Sequence, residues 1–344
     1  MKAYVLENVG KIELKSIAAP SIRDGEALVR VRAVGICGSD IPRIYSDGAH
    51  VMPIVPGHEF SGEVVSTFAA KDKEWIGKRV GVFPLIPCMK CSCCKNKKYE
   101  MCKSYSYLGS RQNGGFAEYV NVPVWNLIEL PEGVSFEEGA ILEPLAVAVH
   151  AVRAMLNSEE DVDKKRVIVS GLGTIGLMVV SVLKAYGIFD ICGIGNKEYQ
   201  KNNLKKIGAY AYCNAKDIAN SELSNADYVF ECVGSNDSIT NAITLTKEAG
   251  KVMMVGNPKS DVELNQKVYW QILRKQLTVQ GTWNSSFTKE NEDDWQLALE
   301  LLAKKKIDVD TLISHRLSID NLSKGFELMK DKSENYTKVC GVFE

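Results

Sequence analysis

The 344-residue sequence lacks the features that direct a chain to a membrane or to nucleic acid. No apolar run reaches the roughly 20 residues that a membrane-spanning helix needs. The formal net charge is −1, so no overall field attracts nucleic acid or an anionic lipid surface. The first residues lead directly into strand-like alternation, and no signal peptide is visible. We therefore expect a cytoplasmic protein that binds neither a membrane nor nucleic acid.

Histidine is also scarce, with four residues, whereas cysteine is not, with ten. A chain of this length does not need the disulfide framework of a small secreted domain, and the cysteines are clustered, which favours metal binding. The hydrophobic share of 45% and charged share of 25% are ordinary for a soluble globular protein. The length allows two domains, each with its own core.

The first candidate metal site combines a thiol, an imidazole and carboxylates. Cys37 opens Cys-Gly-Ser-Asp, His58 and Glu59 follow in Gly-His-Glu, and Glu143 precedes a proline. Three protein ligands with one open position are typical of a catalytic zinc, and a residue before proline is suited to the mouth of a helix. For Cys37 or His58 alone, a buried thiol or a packed core histidine is the simpler interpretation. The occurrence of all four residues in these motifs favours a metal-binding site.

A second group of cysteines has the spacing C-x2-C-x2-C-x7-C, in a lysine-rich stretch. Four thiolates at such spacing can surround one zinc ion and leave no open position, which is typical of a structural site. Iron–sulfur clusters also use four cysteines, but their usual spacings differ from this one. We assign no role to Cys93, which is out of register. The predicted ligands are Cys88, Cys91, Cys94 and Cys102.

The N-terminal part of the chain reads as a series of short strands. In the segment 26–34, Val29 and Val31 alternate with Arg30 and Arg32, so one face is buried and the other is wet. Glycine, proline and Asp-Gly pairs separate the segments, as in antiparallel sheets. This predicts a β-rich, barrel-like domain, to which a C-terminal strand-like segment returns.

The central part of the chain predicts a dinucleotide-binding domain. A short apolar strand, 166–170, runs into G-x-G-x-x-G, and a helix follows. The glycines allow a tight turn and a close approach of the backbone to a pyrophosphate at the helix N-terminus. Further strand–helix alternation predicts a doubly wound parallel sheet, giving an α/β fold overall. The predicted cofactor-binding loop consists of Gly171, Gly173, Thr174, Ile175 and Gly176.

The end of the second strand of this domain predicts the cofactor. NAD-dependent Rossmann domains carry an acidic residue there, which binds the ribose hydroxyls and repels a 2′-phosphate. Here the strand ends in Gly195, Asn196 and Lys197, which remove the negative charge and add a positive one. We therefore expect NADP to be favoured over NAD. The alternative is an ordinary solvated lysine, with NAD bound through other contacts.

Together these motifs, in this order, resemble the medium-chain zinc-dependent alcohol and polyol dehydrogenases over essentially the whole chain. The resemblance implies a discontinuous, β-rich (GroES-like) catalytic domain at 1–150 and 285–344, and a Rossmann domain at 151–284. It also implies an active site in the cleft between the two domains, two zinc ions per chain (one catalytic, one structural), and a homo-oligomer, either a dimer or a tetramer.

The resemblance implies particular roles for the first cluster. Cys37, His58 and Glu143 correspond to catalytic zinc ligands, and Glu59 to a nearby carboxylate that exchanges onto the metal. Ser39 corresponds to the hydroxyl that relays the alcohol proton. Many members carry a relay histidine five positions after the first ligand, and this chain has Pro42 there instead. Proton exit from Ser39 must then follow another route.

Within the family, three stretches most resemble a dehydrogenase of a polyol phosphate. They contain Arg43, His50 and Arg111, which we predict to bind the charged end of the substrate, although both arginines are equally explained as surface ion-pair residues. The predicted reaction is hydride transfer between a secondary alcohol of a small-molecule polyol or polyol phosphate and a nicotinamide cofactor. Activity on unphosphorylated polyols or small alcohols is the first alternative. A non-catalytic nucleotide-binding protein that retains the fold is the second.

Overall fold

The computed structural model describes residues 1–156, 161–290 and 292–344. Residues 157–160 of the predicted Rossmann domain and residue 291 of the predicted catalytic domain lie outside this description. Among the described residues, every helix is too short or too polar to cross a membrane.

The described residues form 17 strands and 11 α-helices. The strands are β1 (Lys2–Asn8), β2 (Lys11–Ser16), β3 (Glu26–Ile36), β4 (Glu59–Thr67), β5 (Arg79–Val82), β6 (Leu85–Ile86), β7 (Ser106–Tyr107), β8 (Tyr119–Pro123), β9 (Leu127–Glu129), β10 (Val167–Ser170), β11 (Ile191–Gly195), β12 (Ala211–Asn214), β13 (Ala226–Glu231), β14 (Thr246–Met254), β15 (Thr278–Gly281), β16 (Ile313–Leu317) and β17 (Lys338–Val342). The helices are α1 (Asp40–Tyr45), α2 (Ser92–Lys95), α3 (Phe136–Ala140), α4 (Leu142–Leu156), α5 (Thr174–Ala185), α6 (Glu198–Ile207), α7 (Asn236–Leu245), α8 (Gln266–Arg274), α9 (Asp294–Ala303), α10 (Val309–Leu312) and α11 (Leu322–Asp331). Short 3₁₀ turns cover Ala70–Trp75, Tyr99–Met101, Val124–Asn126, Val162–Lys164, Ile218–Asn220 and Ile319–Asn321.

The first compact unit comprises Met1–Glu143, Ser286–Lys304 and Ile313–Glu344. Its main sheet has the order β16-β17-β3-β4-β5-β9, and β8 pairs with β3 off this path. In β3 the predicted alternation is confirmed, because Val29 and Val31 are buried while Arg30 and Arg32 are partly exposed. β17 pairs antiparallel with β3, so the C-terminal strand does return to this sheet.

The second unit comprises Pro144–Ser285 and Lys305–Leu312. Its sheet is parallel throughout, in the order β12-β11-β10-β13-β14-β15. This is the doubly wound arrangement, with the strand order reversing beside β10. The predicted fold class, a Rossmann domain plus a β-rich GroES-like domain, is confirmed. β12 was not predicted, because its residues are partly exposed and carry no apolar run.

The division into units differs from the predicted domain boundaries. The sequence-based division placed the segments 144–150 and 305–312 in the catalytic domain, whereas both pack with the second unit. The first boundary falls inside α4, between Glu143 and Pro144, and no break in the helix marks it. The second difference arises because α10 packs against α5 and α6.

Candidate active site

The pairing of β3 with β4 brings the first group of predicted metal ligands together. The two strands are antiparallel, with Gly35 opposite Glu59. Cys37 follows the end of β3 and His58 precedes the start of β4, so both lie at the same end of this strand pair. One ligand atom each from Cys37, His58 and Glu59 lies within 4.8 Å of the others. His58 and Glu59 are buried and Cys37 is partly exposed, which suits a metal that must also be reached by a substrate.

Gly35 makes room for the carboxylate of this cluster. A Cβ atom at position 35 would lie 2.2 Å from Glu59 Oε2, far inside van der Waals contact. Glu59 is 1% exposed, so the carboxylate has little space into which it can retreat. The glycine therefore belongs to the site, although it carries no ligand atom.

We expect Gly35→Ala to lower the affinity for the catalytic metal by about tenfold or more, as loss of a supporting contact does in other metal sites. Competition with a chromophoric chelator measures this affinity. Gly38→Ala is the matched control, because a Cβ at position 38 would meet nothing within 4 Å. Equal metal affinity in the two variants would show that Glu59 does not need this space.

The Glu59 carboxylate is paired with a lysine that the sequence did not reveal. Lys338 Nζ lies 2.7 Å from Oε2 and 2.9 Å from Oε1 of Glu59, and it also donates to the Ile36 carbonyl at 3.2 Å. Burial alone disfavours the ammonium, but the Glu59 carboxylate outweighs burial and raises the pKa of Lys338. Removing one partner of such a buried pair typically costs about 3–5 kcal/mol. The only signal in the sequence is a lysine at the start of an apolar strand.

Glu143, the second predicted carboxylate, lies in the first turn of α4 and is buried. Its Oε1 accepts a hydrogen bond from the Tyr107 hydroxyl at 3.2 Å. Burial raises the pKa of Glu143 to about 7; His58 opposes this shift and Glu59 adds to it. Glu143 is not among the three side chains whose ligand atoms lie within 4.8 Å of one another, and Tyr107 connects it to that group. The Tyr107 ring also packs edge-on against His58, with centroids 5.7 Å apart.

Asp40 contacts two of the predicted metal ligands, Cys37 and His58. It is fully buried, its Oδ1 lies 3.5 Å from His58 Nδ1, and its Oδ2 accepts from the Cys37 N–H at 3.0 Å. Burial disfavours the imidazolium, but the Asp40 carboxylate outweighs it and raises the pKa of His58. A carboxylate beside Nδ1 leaves Nε2 as the metal-binding nitrogen, a common arrangement in metal sites.

The structure places the predicted substrate residues in separate environments. Arg43 donates to Asp40 through Nη1, so it takes part in the support of His58. The Arg111 guanidinium lies over the Tyr105 ring, 4.7 Å from its centroid, and His50 is exposed. In the described part of the chain, no hydrogen bond, ion pair or ring contact links these three residues to one another. Ser39 precedes α1, is exposed, and makes no capping hydrogen bond with its side chain.

The four predicted structural ligands form a compact group of sulfur atoms. The Sγ–Sγ distances are 3.5 Å for Cys91–Cys94, 3.9 Å for Cys88–Cys94 and 3.9 Å for Cys91–Cys102. Tetrahedral zinc with Zn–S bonds of about 2.3 Å requires sulfur atoms roughly 3.8 Å apart. The group therefore fits zinc. Hydrogen bonds from backbone N–H groups, that of Cys94 first, lower the pKa of Cys91 to about 6, which favours the thiolate that a metal requires.

These two groups are the only clusters of three or more cysteine, histidine or acidic side chains with metal-binding geometry among residues 1–156, 161–290 and 292–344. Cys93 belongs to neither. The residues present thus suit one open site and one closed site.

The predicted phosphate-binding loop has the geometry that a dinucleotide requires. Gly171 has φ of +96°, and a Cβ at Gly176 would lie 1.8 Å from the Gly171 carbonyl oxygen, so neither position accepts a side chain. A Cβ at Gly173 would meet nothing within 4 Å, which leaves space above the loop. Thr174 and Ile175 open α5, and the N-terminus of a helix is a common binding site for a pyrophosphate.

The fold and these clusters define a class of protein: a zinc-dependent, nicotinamide-dependent dehydrogenase with a GroES-like domain and a Rossmann domain. The model of the alcohol dehydrogenase GroES-like domain matches residues 23–132, and that of the zinc-binding dehydrogenase matches residues 174–304. The chain belongs to this family, the zinc-binding alcohol dehydrogenases. The predictions of the family and of an enzyme are confirmed, and the non-catalytic alternative is not supported.

Individual relatives match over nearly the whole chain. Galactitol 1-phosphate 5-dehydrogenase from Escherichia coli is 31% identical over 331 residues, which cover 94% of each chain. Sorbitol dehydrogenase 1 from Saccharomyces cerevisiae is 30% identical over 345 residues, covering 94% of this chain and 93% of the relative. The crystal structure of galactitol-1-phosphate dehydrogenase from Escherichia coli matches with a TM-score of 0.91 and 31% identity, covering 99% of this chain and 100% of the other.

Proposed function

We propose that the chain transfers a hydride between a secondary alcohol of a polyol phosphate and NADP, and that it holds two zinc ions. The observation that carries this proposal is the convergence of Cys37, His58 and Glu59 within 4.8 Å, with Glu143 in the same electrostatic neighbourhood. Because the Glu59 carboxylate is already paired with Lys338, Cys37 and Glu143 are the groups left to balance the charge of a divalent cation, which binds cysteine as the thiolate. Bound zinc would supply Lewis acidity, which lowers the pKa of an alcohol and polarises a ketone.

The chain's own residues supply binding and proton transfer in this reaction. Ser39 is exposed beside Cys37 and is proposed to accept the proton of the alcohol. Proton exit from Ser39 does not use a side chain at position 42, which is proline. The phosphate of the substrate is proposed to bind through Arg111, with His50 and Arg43 as further cationic groups.

A second candidate is the oxidation of an unphosphorylated polyol, as in the sorbitol dehydrogenase relative. One observation favours it: Arg43 is engaged by Asp40 and is therefore only partly available to a phosphate. Comparison of galactitol 1-phosphate, galactitol and sorbitol as substrates, followed by nicotinamide absorbance, distinguishes the two candidates. The polyol phosphate is expected to give the highest kcat/KM.

We expect Arg111→Ala to raise KM for the polyol phosphate by about tenfold or more while KM for the unphosphorylated polyol changes less than about twofold, because a charged hydrogen bond contributes about 1.5–3 kcal/mol. Arg111 is the sharper test than Arg43, since loss of Arg43 would also disturb Asp40 and His58. Arg111→Lys is the matched variant, as it retains the charge but loses bidentate binding. Equal effects of Arg111→Ala on both substrates would rule out a phosphate contact.

The proposed preference for NADP rests on the end of β11, where Gly195 is followed by Asn196 and Lys197. A partly exposed lysine–phosphate contact contributes about 1 kcal/mol, so we expect wild type to favour NADP by about fivefold in kcat/KM. Gly195→Asp is expected to abolish this preference through repulsion of the 2′-phosphate. A Cβ at position 195 would lie 2.8 Å from Gln200 Oε1, so Gly195→Ala separates the effect of bulk from that of charge. A wild type that favours NAD would contradict the proposal.

We further propose that the protein is a cytoplasmic homo-oligomer. All four residues of β15, at the edge of the parallel sheet, are exposed. The nearby α8 exposes Trp270 and Leu273, at 43% and 57%. An open strand edge flanked by apolar side chains favours pairing with another strand, and a second copy of this chain offers the same edge.

A further inference from the structure

The side chain of Gln200 folds into the turn between β11 and α6, beside position 195, where the usual acidic residue is absent. Gln200 Oε1 accepts hydrogen bonds from the backbone N–H groups of Asn196 at 3.0 Å and Lys197 at 3.2 Å. The same oxygen lies 2.8 Å from the place where a Cβ of residue 195 would stand. Glycine at 195 is thus what allows Gln200 to fold back over the end of the strand.

These contacts determine which hydrogen bonds Gln200 can still make. An amide oxygen has two lone pairs, and here both are occupied by backbone N–H groups. Because both partners are donors, the oxygen and not the nitrogen of the amide must face them. The remaining capacity of the side chain is the Nε2 group, which can only donate.

The neighbouring side chains add positive charge. Lys197 caps α6, and its Nζ lies 5.6 Å from the centroid of the Tyr199 ring. Lys201 Nζ lies 5.8 Å from the centroid of the Tyr212 ring, and the Tyr212 ring approaches the Cβ position of residue 195 to 3.2 Å. The nearby acidic group on α6, Glu198, is exposed and lies 3.8 Å from Lys201.

We propose that Gln200 is a specificity-determining residue for the cofactor, an inference that rests on the proposed preference for NADP. The carboxylate of NAD-dependent enzymes accepts a hydrogen bond from the ribose 2′-hydroxyl, and Gln200 cannot replace it as an acceptor because its amide oxygen is already occupied. A 2′-phosphate has only acceptors, and it meets the donors of Gln200, Asn196 and Lys197. The Gln200 amide oxygen therefore accepts the two backbone hydrogen bonds of the turn as a carboxylate oxygen would. It does so without a negative charge that would repel the 2′-phosphate.

The test is Gln200→Glu, which has nearly the same shape, can keep both backbone hydrogen bonds and adds one negative charge. Isothermal calorimetry on the zinc-loaded protein would measure the Kd of NADP, NAD, adenosine 2′,5′-bisphosphate and 5′-AMP. We expect Gln200→Glu to weaken NADP and the bisphosphate by about tenfold or more, and NAD and 5′-AMP by less than about twofold. Asn202→Asp is the matched control, because it adds the same charge to α6 at an exposed position and is expected to change none of the four.

Two outcomes would overturn the inference: no change in any ligand, or equal weakening of the phosphorylated and unphosphorylated ligands. Failure of the proposed NADP preference is seen separately, in the ratio of the two cofactors' Kd values in wild type. Wild type could bind NAD more tightly than NADP while Gln200→Glu selectively weakens binding of the bisphosphate. That result would reject the proposed NADP preference but support the role of Gln200. A circular dichroism spectrum equal to that of wild type confirms that each variant is folded.

Discussion

His58→Ala is expected to yield a folded protein that binds one zinc ion instead of two and has lost about a thousandfold or more in kcat/KM. The imidazole is buried between Asp40, Cys37 and Tyr107, and no other histidine lies in the cluster. Stabilisation of developing charge by a metal contributes several kcal/mol, and each 1.36 kcal/mol corresponds to a tenfold change in rate. The structural cysteine cluster is unaffected by this change, so the remaining zinc should stay bound.

Metal content by plasma emission spectrometry and steady-state kinetics measure the two effects. His150→Ala is the matched control, because His150 lies in α4 outside both metal clusters, and it should retain both zinc ions and most of the activity. A His58→Ala protein with two zinc ions and near-normal activity would mean that the catalytic site has been wrongly assigned.

Cys102→Ser is expected to remove the other zinc ion and to destabilise the protein strongly. Cys102 is 3% exposed, and its Sγ accepts a hydrogen bond from the Cys88 N–H at 3.3 Å, so the serine would face thiolates in a closed site. Loss of a bound metal is among the changes that cost about 4 kcal/mol or more, which for a domain of this size lowers Tm by roughly 10 °C. The lobe around this cluster, residues 88–103, also packs through Tyr99, whose ring centroid lies 5.2 Å from that of Trp125.

Calorimetric unfolding and zinc content together test this expectation. Cys93→Ser is the matched control, since Cys93 lies in the same lobe but outside the cluster, and it should unfold like wild type with both metals bound. If Cys102→Ser kept two zinc ions and an unchanged Tm, the four-cysteine site would not be structural. If Cys102→Ser also lost zinc from the proposed catalytic site, with a proportional loss of activity, the two metal sites would be coupled.

The proposed metal ligands could be selected from the sequence because metal coordination restricts residue types and local spacing. Cys88, Cys91 and Cys94 lie within one turn-sized segment, so their proximity follows from the length of the chain between them. The glycines of the nucleotide loop are recognisable for a similar reason: the backbone there has no space for a Cβ. The predicted segments 26–34 and 166–170 agree with β3 and β10 to within two residues because their apolar patterning is strong, whereas β12, whose patterning is weak, was not predicted.

The sequence by itself thus determined the class of fold, and it predicts two sets of metal ligands and a dinucleotide-binding loop. The tertiary structure decided which neighbouring groups pair with those residues and fix their positions. Lys338 reaches Glu59 across 279 positions because β17 pairs with β3, a pairing that no local pattern encodes. Asp40 meets His58, and Tyr107 donates to Glu143, because a buried hydrogen-bonding group takes the nearest partner that the folded chain brings to it. Such partners become visible only when the strands and helices are in place.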